Sequence, residues 1–240
     1  MQQKQPVLAA VLGTAALFVA AGPPLLAHDF WIEPGSFRPE LGRPLGLELR
    51  VGDRFPGEIV RRDPTFVKTF VVRAGSDVKA LPALPGRTAP AAAFRPTEPG
   101  RTTVAFESAP RFLELEPTRF RSYLQEEGLT DVLAQRRENG ETQEPGREHY
   151  ARCAKVLLDV GESETGEREP PEQGPWKYEP PIGLTLELEL LSDPNADGPL
   201  EVRLLDRGEP ARGVLVTCVR CGEAPAGHAP SESTSQEPSP

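Results

Sequence analysis

The chain has 240 residues, 38% hydrophobic and 26% charged, so one or two globular domains with a sizeable core are expected. Its 28 Pro and 22 Gly, with aromatics at only 6%, favour short strands joined by turns over a helical bundle. The formal charge is −9 and the arginines are scattered among Glu and Pro, which excludes a nucleic-acid binder working through a basic patch.

Residues 6–21, PVLAAVLGTAALFVAA, follow Lys4 and run into GPPLLA. An apolar run behind a positive charge, broken by Gly-Pro-Pro and ending on a small residue, reads as a secretory signal cut after Ala27. A retained anchor is the competing reading, but Gly22-Pro23-Pro24 ends the run at about the minimum spanning length. The expected location is the periplasm or the cell exterior, with no membrane span after cleavage. Lys4 is the only charged side chain before the cut, so the mature part carries 26 basic and 36 acidic groups, a balance of −10.

The cut would make His28 the first residue, followed by Asp29, Phe30 and Trp31. An N-terminal histidine can chelate a divalent metal through its α-amine and Nδ1, and imidazole suits Ni, Cu and Zn. Asp29, Glu33 and His149 are the candidates to complete such a site; His228 lies in the tail. The competing reading makes Phe30 and Trp31 structural anchors of an edge strand and leaves His28 without a task.

Period-two alternation bounded by Pro or Gly predicts strands at 45–52, 66–74, 102–108 and 111–117. Residues 149–161 alternate less cleanly and fit a long strand buried on both faces or a short helix; the strand is preferred because Val156, Leu157, Leu158 and Val160 run into Gly161. Between 111–117 and 149–161, Phe120, Tyr123 and Leu124 show helical spacing, with Pro117 as a start and Gly128 as a stop. A second short helix is expected from Thr130, as N-cap, to about Gly140. Residues 162–175 read as an exposed acidic loop. Trp176 and Tyr178 could form a carbohydrate-stacking platform or simply pack. Leu184, Leu186, Leu188 and Leu190 alternate with Thr185, Glu187 and Glu189, predicting a strand with buried leucines and wet glutamates. Two more strands are expected at 199–206 and 213–220, then a disordered tail from 222. The pattern gives a signal at 1–27, an antiparallel all-β sandwich over 28–192 carrying a helical hairpin at 117–140, and a partial second β-module at 193–221.

Cys153 reads as a buried small residue, and Cys218 with Cys221 could close a disulfide in an oxidising compartment. His149 and Cys153, four apart on one expected strand, would point to the same face about 13 Å apart, too far to pair. No nucleophile elbow, zinc-protease helix, P-loop or dinucleotide fingerprint occurs, so a non-catalytic protein is expected.

Several blocks occur together in order: AHDFWIEP, RVGDRFPGE, RPTEPG, FLELEPTRFRSYLQEEGL, GREHYARCAKVLLDVG and PIGLTLELELLSDP with LEVRLLDRGEPARGVLVTCVR. Over about residues 27–220 the chain resembles a bacterial periplasmic family labelled the NikM-like, substrate-specific component of nickel or cobalt uptake. The resemblance implies an Ig-like all-β architecture, a nickel or cobalt cargo, a membrane metal transporter as partner, and His28 as a possible ligand. It also implies a second β-module, continuing in similar proteins through a TDxxG turn; here Ser, Pro and Glu follow Cys221 instead.

Overall fold

A computed structural model describes residues 29–52, 54–84, 89–161, 178–193 and 198–218. The first half of the described chain forms β1 (Asp29–Pro34), β2 (Leu45–Gly52), β3 (Glu58–Val60), β4 (Val67–Ala74), β5 (Asp77–Ala80), β6 (Ala92–Phe94) and β7 (Gly100–Ser108). Then follow β8 (Arg111–Leu115), helices α1 (Pro117–Glu126) and α2 (Thr130–Glu138), β9 (Gly146–Tyr150) and β10 (Cys153–Val160). The last strands are β11 (Leu186–Leu190), β12 (Val202–Asp206) and the two-residue β13 (Glu209–Pro210). The apolar leader read as a signal, residues 162–175, Trp176, Cys221 and the C-terminal residues from 222 lie outside the described residues. Among those described, no helix is long and apolar enough to cross a membrane.

The fold is an all-β sandwich with a small helical insertion. In one sheet β2 is central, with β1 on one side and β3 and β6 sharing the other; the second runs β10-β7-β4-β5, and every pairing is antiparallel. The alternation of β2 explains the packing. Leu45, Leu47 and Leu49 point inward, against Phe70, Val104, Phe106 and Leu158 of the facing sheet. Leu47, Val104 and Leu158 are completely buried, each such side chain contributing about 1.5–3 kcal/mol.

The helical hairpin sits at the tip of the β8–β9 ribbon. Its spacing acts as the sequence predicts: Phe120 and Leu124 are buried, and the Phe120 ring lies flat on Gly146. A Cβ at Gly146 would stand 1.9 Å from Phe120 Cγ, so only glycine fits there. Thr130, expected to cap α2, is instead its first residue; Leu129 holds the cap position without a side-chain bond.

Three further features differ from the sequence reading. The strand expected at 149–161 breaks at Ala151-Arg152: β9 pairs with β8, while β10 crosses to pair with β7. The joint is fastened by Ser108, whose N–H donates to the Arg152 carbonyl and whose Oγ accepts the Arg152 N–H, both at 2.9 Å. The break also removes the shared strand on which the His149–Cys153 spacing was reckoned. No strand forms over the described part of 213–220, because Gly213 at φ +69° turns the chain away and Val214, Leu215 and Val216 find no strand edge. The third difference is the facing of β11.

β11, β12 and β13 form one small sheet whose β11 lies over the outer face of β10-β7-β4-β5. Glu187 and Glu189 point inward, 2% and 3% exposed, while Leu186 and Leu188 face outward at 46% and 36%. The reason is the surface beneath. There the outward positions of β4, β7 and β10 carry Arg73, Thr103, Glu107 and Lys155 among Val71, Ala105 and Leu157, so the surface offers charged partners that an apolar face would not. Glu187 receives Lys155 Nζ at 2.8 Å and three backbone N–H groups, from Ile182 (2.9 Å), Gly183 (2.8 Å) and Leu184 (3.1 Å). Glu107 receives Lys68 Nζ at 2.7 Å and Thr185 Oγ1 at 2.5 Å. Glu179 accepts from Arg73 at 2.8 Å and Thr103 at 2.5 Å. Burial alone would push the carboxyls of Glu187 and Glu107 up. These donors outweigh it and hold both below the usual glutamate value.

Candidate functional site

The start of β1 brings the sequence-predicted residues to one end of the sandwich. Asp29 is exposed, opposite Gly52 of β2. Alternation then sends Phe30 and Trp31 to opposite faces. Phe30 enters the core, its ring 5.1 Å from that of Phe106. Trp31 lies on the outer face, with Nε1 donating to Glu33 Oε2 at 3.2 Å and its indole edge-on to Phe55 at 4.8 Å. Gly57, at φ +58°, admits the indole: a Cβ there would come within 2.4 Å of Trp31 Cη2. The blocks DFWIEP and RVGDRFPGE are thus sheet neighbours. The second supplies the Phe55 and Gly57 seat for the first, and Arg50 closes it by donating to the Pro56 carbonyl at 2.9 Å.

The remaining candidates are spread out. His28 lies outside the described residues. His149 is exposed on β9, its ring 5.4 Å from Phe112, on the opposite face from its neighbour Tyr150. Among the described residues, no group of three or more His, Cys, Asp or Glu is arranged to hold a metal ion. Cys153 is half-buried, and burial pushes its thiol up. Cys218 is exposed; its proposed partner Cys221 lies outside the described residues. Tyr178 is 48% exposed and its hydroxyl donates to Glu189; Trp176, the other half of the stacking platform, is not among the described residues.

Sequence reasoning missed a cleft beside Phe30. It is a half-open cavity of about 60 Å³ between the β1–β2–β3 end of one sheet and the β8–β9 ribbon. Four arginines line it, Arg61, Arg62, Arg111 and Arg152, against one carboxylate, Asp63. In the sequence these residues stand up to 91 positions apart, and each looks like an ordinary surface charge. The doublet Arg61-Arg62 followed by Asp63-Pro64 was the one local signal.

No curated protein and no solved structure matches the chain. A family model does match, over residues 25–237, almost everything after the apolar leader. The chain belongs to the family described as Domain of unknown function (DUF4198).

Proposed function

We propose that this is an exported, non-catalytic β-sandwich protein that takes up a transition metal, nickel or cobalt, at its mature N-terminus and passes it to a membrane transporter. The carrying observation is where β1 begins. Register with β2 starts at Asp29, so cleavage after Ala27 leaves the new amine one residue ahead of an ordered strand. The chelate would pair that amine with the His28 imidazole, with Asp29 beside it for an oxygen ligand. The resemblance to NikM-like proteins favours nickel or cobalt as cargo and a periplasmic location. Cu(II) is the metal that any N-terminal histidine binds adventitiously.

The test is calorimetric titration of Ni(II), Co(II), Cu(II) and Zn(II) into the chain starting at His28 and into one with a Gly placed before His28. One tight equivalent is expected for the first. The second should bind at least tenfold more weakly, a loss of about 1.4 kcal/mol. Equal binding by both, or by neither, overturns the metal reading. A second reading then takes its place, an envelope module that recognises a protein or glycan surface. The outer face of β11 and β12 favours it, with Leu186, Leu188 and Val202 all exposed.

A further inference from the structure

The cleft beside Phe30 has the wrong charge for its protein. Its lining carries four arginines and one aspartate, an excess of +3, in a chain whose formal charge is −9. The single carboxylate is already engaged: Asp63 accepts from Thr65 N at 3.0 Å and Thr65 Oγ1 at 2.7 Å, and Arg111 lies 3.7 Å away. Arg111 itself is stacked 3.6 Å over the Phe66 ring.

Two of the arginines are held in place yet left with unused donors. Arg62 is fixed by bonds to the carbonyls of Leu81 (2.9 Å), Pro82 (3.0 Å) and Ala91 (3.2 Å). Its Nε is buried and has no hydrogen-bond partner. Arg152 is half-buried, with its guanidinium 5.4 Å from the Phe30 ring and 5.6 Å from that of Tyr150. No carboxylate among the described residues pairs with it. Burial and the nearby Arg111 both disfavour its charge. Aromatic faces compensate a desolvated guanidinium only in part, by roughly 0.5–2 kcal/mol. The deficit that remains is what an incoming anion would remove.

The rest of the lining selects among anions. Phe30, Leu49, Val60 and Phe106 are apolar, and they form the side of the cleft that meets the core. A bare inorganic anion would leave that side without a complement. The cavity itself is small, about 60 Å³, which suits a carboxylate head with a short apolar body rather than a large ligand. A planar guanidinium matches a carboxylate through two parallel N–H donors. We propose that the cleft binds a small organic carboxylate, its charged end on Arg152 and its apolar body against Phe30 and Phe106. The proposal stands on the cleft alone and is independent of metal at His28.

The test titrates the full chain with butyrate, benzoate, benzyl alcohol and inorganic phosphate, followed by calorimetry. At least one of the two carboxylates should saturate one site, with benzyl alcohol and phosphate at least tenfold weaker. Arg152→Met keeps an apolar stem over Phe30 and should weaken carboxylate binding at least tenfold. Arg136→Met, which removes the arginine over Phe120 away from the cleft, should leave it unchanged. The proposal is overturned if neither carboxylate saturates, if benzyl alcohol or phosphate binds as tightly, or if Arg152→Met binds like the parent. Should Arg152→Met fail to fold, Arg152→Lys replaces it: the charge stays, the two-donor fork is lost, and at least a threefold weakening is required. Placing a Gly before His28 should leave carboxylate binding unchanged, which separates this site from the metal reading.

Discussion

The two faces of the β10-β7-β4-β5 sheet are covered in opposite ways. One meets β2 through Leu47, Val104 and Leu158, in a predominantly apolar layer. The other meets β11 through Glu107, Glu187, Lys68 and Lys155, bound into ion pairs and backbone hydrogen bonds. The dry face draws its stability from removing apolar area from water, and it tolerates volume-conserving change. The polar face gains less net energy from each contact, but is far less forgiving. Removing one partner strands a buried charge. Alternation in a sequence therefore shows which residues share a face; the opposing surface decides which face goes inward.

The largest effect should come from the polar face. Glu187→Ala leaves Lys155 without its partner and three backbone N–H groups without an acceptor, so a loss of about 3–5 kcal/mol is expected by denaturant unfolding. A loss under about 1 kcal/mol would mean that the layer is wet and the contrast false. Leu158→Ala on the dry face should cost about 2–5 kcal/mol through lost burial and the cavity left behind. Comparing Lys155→Met, Glu187→Leu and the double variant sharpens the distinction. The double should be more stable than the worse single, because no unpaired charge remains.

Acid should then separate the faces by degree. Glu107 and Glu187 hold their protons less readily folded than unfolded, so their contribution is present above the ordinary glutamate value of 4.5. It is lost as pH falls through the lower folded values. Unfolding free energy should drop below about pH 4.5, and Glu107→Gln should flatten that drop relative to the parent. An unchanged slope in the variant would remove Glu107 from the account. The smallest effect belongs to the outward leucines: Leu186→Ser and Leu188→Ser should each stay within about 0.5 kcal/mol of the parent. Were β11 facing as its sequence suggests, both would cost several times more.

Much of the fold was legible. The helical hairpin followed from Phe120, Tyr123 and Leu124, and the β2 core face from Leu45, Leu47 and Leu49, because in both cases the apolar side is the buried side. β11 misled because Glu187 finds Lys155, 32 residues away on another strand, together with three nearby amides, a match that hydropathy alternation does not record. The break at Arg152 was hidden because its cause is Ser108, on another strand. At the site, the Trp31 seat was implicit in two adjacent sequence blocks. The arginine cleft was not, since Arg62, Arg111 and Arg152 are gathered only by the crossing of β3, β8 and β10 at one end of the sandwich.

The inward glutamates also fix the alignment of β11. In most half-buried strands a slip by one residue is forbidden because it drives apolar side chains into water. Here the same slip would move Leu186 or Leu188 over Lys155 and carry Glu187 into solvent, leaving a buried ammonium beside hydrocarbon. A slip by two would place Glu189 over Lys155 in one direction and the Thr185 hydroxyl in the other, and in either case would draw Glu187 away from the Ile182, Gly183 and Leu184 amides. Only one placement satisfies the lysine and the three amides together. The C-terminal sheet is thus positioned on the sandwich by a charge code with a single solution.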